Sequence, residues 1–241
     1  GLVVVWVAVI AVFQPPAFML PGPLAVLQAL RDRPELWQVH AVTTFTETLI
    51  GLVAGSVLGA GLALTMSFLP LTRRILLPVM VVSQALPVFA IAPLLALWFG
   101  FGLASKIVMA TIAIFFPVAS AFADGLARTD AGLLDLARLY RARRWQVVTL
   151  MRVPGALPAL VTGLRLAAVY APIGALIGEW VGASSGLGYA MLQANARAQT
   201  AVMFAALILL SVTGILIFFA TSFLSHLLLH KWHESALKRE N

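Results

Sequence analysis

The chain has 241 residues, of which 61% are hydrophobic and only 10% charged, with a mean hydropathy of +1.00. A soluble domain carries about a quarter charged residues, so this composition excludes one and indicates an integral membrane protein. The net charge of +7 is not gathered on one water-soluble region, which points to lipid headgroups and orientation signals rather than nucleic acid, and the lack of cysteine excludes disulfides and thiolate metal sites.

Gly1 is followed by an apolar run, Leu2–Phe13, read as the end of a span whose beginning is missing. The next segment, 14–43, opens on QPPAFMLPGP, whose prolines exclude regular helix. From Pro23 to His40 the residues Leu24, Val26, Leu27, Leu30, Leu36 and Val39 recur at helical spacing and predict a short interfacial helix. Apolar runs long enough to cross a bilayer follow at about 44–69, 75–98, 102–123, 157–180 and 201–229. With the first run they give about six transmembrane helices in an all-α, single transmembrane domain covering 1–241, its core at about 40–229.

Several spans contain residues that need an explanation. Gly51, Gly55 and Gly59, continued by Ala63, form a small-residue stripe suited to close helix packing. Gln84, Pro87 and Pro93 fall in one predicted helix, where proline frees backbone groups that a cavity can satisfy, so all three are candidates for a translocation path. Pro117 and Pro172 predict further kinks. Arg165 lies about 12 Å inside a span at 1.5 Å per residue, and must snorkel, pair or face a wet interior. Glu47 and Glu179 fall near one end of their spans, with Lys106 and Arg197 as available partners. Glu179, Arg165 and Asn195 complete the path or gate candidates. His226, His230 and His233 form an interfacial basic cluster and not a zinc site, which would require an enclosed shell.

Between the third and fourth long runs that follow residue 43 lies a hydrophilic, Arg-rich insert, 124–158. Arg73, Arg74, six insert arginines and the basic tail (Lys231, Lys238, Arg239) fall on one side of the membrane by alternation of the spans. The other side holds only Arg31, Arg33, Lys106 and Arg197. The excess of positive charge places the insert and the C-terminus in the cytoplasm. Inside the insert, Leu133, Leu134, Leu136, Ala137, Leu139 and Tyr140 predict one short helix. Trp145, Val147, Val148, Leu150 and Met151 predict a second, ended by Pro154. Apolar side chains projecting into water on short helices suit a groove on a partner.

The insert resembles the EAA loop of binding-protein-dependent ABC importer permeases, EAA-x3-G-x9-I-x-LP. Asp135-Leu136-Ala137 stands at EAA, Arg141 at the glycine, Met151 at the isoleucine and Val153-Pro154 at LP. Leu20-Pro21-Gly22-Pro23 and Ser184-Ser185-Gly186-Leu187-Gly188-Tyr189 resemble the nitrate, taurine and sulfonate branch. Ser83–Ala90, Ile177–Gly182 and Ala194–Arg197 are most similar to permeases for the hydroxymethylpyrimidine precursor of thiamine.

The resemblance implies a type I ABC importer transmembrane domain in the bacterial inner membrane. It implies a permease homodimer, cytoplasmic ATP-binding subunits and a periplasmic substrate-binding protein. Asp135, Ala137, Leu139, Tyr140, Arg141 and Pro154 would serve ATPase coupling. No G-x4-GK[ST] loop is present, so the chain is no enzyme and needs no cofactor of its own, ATP being bound by the partner subunit. Arg141 departs from the pattern at the turn between the two helices, since a side chain disfavours the left-handed backbone glycine allows. The cargo leans to a pyrimidine, with taurine, alkanesulfonate or nitrate-type anions as the alternative. A secondary transporter or channel would leave the insert unexplained, and a membrane-embedded enzyme would lack HExxH, a cysteine nucleophile and clustered Asp.

Overall fold

A computed structural model describes the backbone of residues 1–237 and the side chains of 1–229 apart from Leu2 and Pro70. The basic tail residues Lys231, Lys238 and Arg239, and the side chains of His230 and His233, lie outside the described side chains. Among the described residues every regular element is helical. In chain order these are α1 (Leu2–Phe13), α2 (Pro23–Arg31), α3 (Pro34–Phe68), α4 (Pro70–Ala85), α5 (Val88–Phe99), α6 (Leu103–Ala127) and α7 (Ala131–Leu139). Then come α8 (Arg144–Gln146), a π-helical turn (Val147–Arg152), α9 (Val153–Trp180), α10 (Leu187–Ala196) and α11 (Thr200–Leu237).

The spans 34–68, 103–127, 144–180 and 200–229 are long and apolar enough to cross a membrane, and α4 with α5 forms a further, broken span. α1, at 12 residues, is about 18 Å long and falls short of a full crossing. Three sequence expectations are corrected. The stretch from Pro34 onward belongs to the long α3 rather than to an interfacial helix, which ends at Arg31. Pro34 stands in the first turn of α3, where its missing N–H costs nothing, and Trp37 Nε1 donates to Ala29 O at 2.9 Å, fixing α2 on the start of α3.

The second correction concerns 75–98. It is two helices, bent by 99° at Leu86–Pro87. A residue before proline is driven from helical to extended backbone, and Leu86 has ψ 127° and Pro87 ψ 112°. Ser83 Oγ donates to Met80 O at 2.7 Å just before the break. Pro78 and Pro93, by contrast, sit inside α4 and α5 without ending them.

The third correction is at Pro154, which does not end the second insert helix. α8, the π turn and α9 run on from Arg144 to Trp180. Pro154 falls where the wider π turn gives way to α-helix, so the carbonyl it would clash with in a regular helix is already displaced.

α6 forms the centre, packed along its length between α3 and α9. The glycine stripe of α3 explains how. A Cβ built on Gly51, Gly55 or Gly59 would overlap Ala110, Ile114 or the Phe115 carbonyl of α6. The helices therefore meet backbone to backbone, as the stripe predicts. Leu52, Ile114, Val118, Ala167, Ala168, Ala171 and Ile217 close the core between α3, α6, α9 and α11. A second cluster, with Val26, Trp37, Leu187, Ala205 and Leu210, fastens α2 and α10 against α11.

Candidate functional sites: coupling insert, mid-span recess and outer clamp

α7 starts at Asp130, whose carboxylate accepts from Leu133 N at 3.1 Å as an N-cap. It ends in a paired hydrogen-bond closure. Ala142 N donates to Ala137 O at 2.8 Å and Arg141 N to Arg138 O at 3.0 Å, the two bonds of a Schellman turn. Such a turn requires a left-handed residue just past the helix. Arg141 supplies it, with φ 50°. Arginine thus takes up the conformation that the pattern assigns to glycine, and the turn is kept.

Beyond the turn, Gln146 Oε1 accepts from Arg143 N at 2.7 Å and begins α8. α7 lies against the π turn, and Ala137 and Val148 are buried there. Leu139 and Tyr140 are 78% and 76% exposed, with Leu133, Leu136, Trp145 and Leu150 also open. Asp135, exposed, pairs with Arg138 at 2.6 Å on the same face. The insert therefore presents Asp135, Leu139, Tyr140 and Arg141 outward, while Ala137 is buried and Pro154, half-buried, stands in the first turn of α9.

Gln84 of α4 comes together with Phe116, Pro117 and Ser120 of α6 and Leu166 and Tyr170 of α9 around an open recess of about 530 Å³. Ser120 and Tyr170 were not singled out from sequence. A lone tyrosine among Ala and Leu in an apolar span was the available signal. Pro87 and Pro93 are exposed but do not line this recess, and Arg165 stands apart from it, half-buried, with its Nε buried and without a hydrogen-bond partner.

Glu179 and Asn195 lie at the far end from the insert. The first four N–H groups of an α-helix have no partner within the helix. At the start of α10 all four find side chains from other helices. Gly186 N donates to His40 Nδ1 at 3.0 Å, and Leu187 N to Thr44 Oγ1 at 2.7 Å. Gly188 N and Tyr189 N donate to Glu179 Oε2, at 2.5 and 3.4 Å. Thr44 Oγ1 in turn donates to Glu179 Oε1 at 2.6 Å. Glu179 is 1% exposed and clamps the start of α10.

Glu47 Oε1 pairs with Lys106 Nζ at 2.8 Å, joining α3 to α6 in the same buried region. Arg197 takes no part in this pairing. It closes α10 and lines a separate polar recess of about 470 Å³ with Gln28, Asp32, Arg33, His40 and Gln193. Asn195, exposed, offers its carbonyl to Ala198 N at 3.1 Å. Among the described residues no group of three or more His, Asp or Glu could hold a metal ion.

Residues 51–233 match the family of binding-protein-dependent transport system inner membrane components. This chain belongs to that family. It is the permease subunit of an ABC importer, a multi-pass inner-membrane protein, with ATP hydrolysis carried out by a separate subunit. That membership sets aside the secondary transporter, channel and membrane-enzyme readings.

A probable ABC transporter permease of Haemophilus influenzae is 46% identical over 93% of this permease and 92% of its own length. The formylaminopyrimidine transport permease of Halalkalibacterium halodurans is 36% identical over 95% and 91%. Relatives at 33 to 30% identity are named for riboflavin, aliphatic sulfonates and taurine. Among solved structures, the MetNI methionine ABC transporter in inward-facing conformations superposes with a TM-score of 0.70. It is 22% identical and covers 81% of this permease and 97% of the matched chain. The shared fold is that of a type I importer transmembrane domain.

Proposed function

We propose that two copies of this permease pair to enclose the path for a pyrimidine precursor of thiamine, with insert and C-terminus in the cytoplasm. The observation that carries the coupling role is the insert surface. Leu139, Tyr140, Asp135 and Arg141 are exposed on α7 and the turn that follows it, immediately before the helical run from Arg144 to Trp180. An ATP-binding subunit seated there would move α9 directly. We assign neither Ala137, buried, nor Pro154, half-buried, a contact with the partner. Replacing Tyr140 by Ala or Asp135 by Lys is expected to leave membrane insertion intact and to reduce co-purification of the ATP-binding subunit. Unchanged recovery in both variants would remove the coupling role.

Gln84, Ser120 and Tyr170 are the side chains we assign to the path, since they supply hydrogen-bonding groups around one mid-span recess. The pyrimidine reading is supported by the motifs around Ser83–Ala90 and Ile177–Gly182 and by the formylaminopyrimidine relative. Taurine, sulfonate or nitrate-type anions are the second reading, supported by the 30% identical relatives. The polar recess beside Arg197, opposite the insert, suits contact with the substrate-binding protein. Reconstituting the permease with its ATP-binding subunit and cognate binding protein tests the cargo. ATP-dependent uptake of a hydroxymethylpyrimidine over taurine is expected. Preference for taurine or an alkanesulfonate overturns it.

A further inference from the structure

At the insert end of the bundle, four elements converge on a small recess of about 160 Å³. They are the last turn of α3 (Ser67), the first turn of α4 (Arg73), the end of α6 (Leu126, Ala127) and the π turn (Arg152). Both charged residues lining it are arginines, and no carboxylate lines it. Arg152 Nη1 reaches Ser67 Oγ only at 3.4 Å, and its Nε is buried without any hydrogen-bond partner. Neither arginine forms an ion pair with a described carboxylate.

The buried Arg152 Nε–H is a donor left without an acceptor, which carries a desolvation cost. An incoming acceptor can relieve it. Two guanidinium groups and one hydroxyl, contributed by α4, the π turn and α3, line one small recess, a donor set that fits an oxyanion such as phosphate, whose several acceptor oxygens can engage more than one of them. The recess also lies where the apolar stretches of α3 and α6 end, the level at which membrane headgroups are found.

We propose that Arg73, Arg152 and Ser67 form a phosphate-binding site at the insert end of the permease. It takes the phosphate of an anionic phospholipid or a free phosphate ion. It is independent of cargo and of the mid-span recess. Because Arg152 belongs to the π turn, an occupant ties that turn to α3 and α4.

The test uses the full chain, with the subunits that co-purify with it, in nanodiscs of phosphatidylcholine alone or with added phosphatidylglycerol. Native mass spectrometry reads retained lipid, and thermal unfolding reads stabilisation. Phosphatidylglycerol is expected to be retained and to raise the unfolding temperature. Arg73→Gln and Arg152→Gln are each expected to weaken retention on the order of tenfold, as loss of a charge-assisted contact implies, while Arg74→Gln is not. Arg73 is exposed, so its variant reports even where Arg152→Gln fails to fold. Inorganic phosphate added to phosphatidylcholine nanodiscs separates the sources. Stabilisation by phosphate, lost in the same variants, identifies a free-anion site; stabilisation by phosphatidylglycerol alone identifies a lipid site. The proposal is overturned if neither probe acts on the wild type, if both variants respond as the wild type does, or if Arg74→Gln loses as much.

Discussion

Arg141 shows how far one residue can depart from a pattern without losing the structure the pattern serves. The Schellman closure needs a left-handed backbone, and an L side chain there costs about 1–2 kcal/mol relative to glycine. Ala198 does the same after α10, with φ 53°, Gln199 N bonded to Ala194 O and Ala198 N to Asn195 O. Arg141→Gly and Ala198→Gly should therefore each stabilise the permease. The gain is held to about 1 kcal/mol, because glycine also loosens the unfolded chain. Thermal unfolding in detergent checks this, and a fall in both variants would contradict it. Glu179 is the opposite case, a residue with several acceptor duties at once. Glu179→Ala leaves the Gly188 and Tyr189 N–H groups and the Thr44 hydroxyl without their acceptor, at about 1–3 kcal/mol for each buried group left unsatisfied. Its expected signature is a lower unfolding temperature with faster amide exchange at the start of α10, and unaltered exchange there would refute the clamp. The turn at Arg141 was legible in the spacing of the insert, whereas the clamp on α10 was not. Glu179 stood out as an ionisable residue in a span, but besides the Thr44 hydroxyl its partners are backbone N–H groups, which every residue except proline has and no side-chain pattern marks.

Elements were more legible than partners, because hydropathy and spacing report directly on what a helix buries. The long spans and the glycine stripe of α3 follow from composition and period alone. Gly59 is the tightest test of that stripe. A Cβ there would meet the Phe115 carbonyl and the Val118 side chain, and a main-chain carbonyl cannot rotate away. Gly59→Val is expected to destabilise by at least the ~1–3 kcal/mol typical of overpacking, read as a lower unfolding temperature, while the same change at Gly61, which faces open space, should be mild. Equal effects at the two positions would sink the packing argument. Boundaries were read less well, for a common reason. Proline signals a break only where its lost hydrogen bond and ring clash have no other remedy. At Pro87 they have none and the helix turns by 99°; at Pro154 the π turn provides one and the helix continues.

At the scale of the whole molecule, the permease is a central helix, α6, held between two others, with the insert at one end and the α10 clamp at the other. The family and the insert were both visible in the spacing from Asp135 to Pro154. The recess around Gln84 was not, since it depends on how three helices rotate about their axes, and hydropathy fixes only which side of each is apolar. That rotation gives the π turn its importance. A turn of π-helix accommodates an extra residue within an otherwise α-helical register, and each residue advances an α-helix by about 100°. Val147–Arg152 therefore sets the angular phase between the insert and α9, much as a keyed coupling sets the phase between two shafts. Deleting Thr149, an exposed residue of that turn, should restore plain α-helix and swing Leu139 and Tyr140 by about 100° around the axis, with every contact residue of the insert still present. Such a permease is expected to insert normally and to recover less ATP-binding subunit than the wild type, whereas full recovery would mean that the angle carries no information.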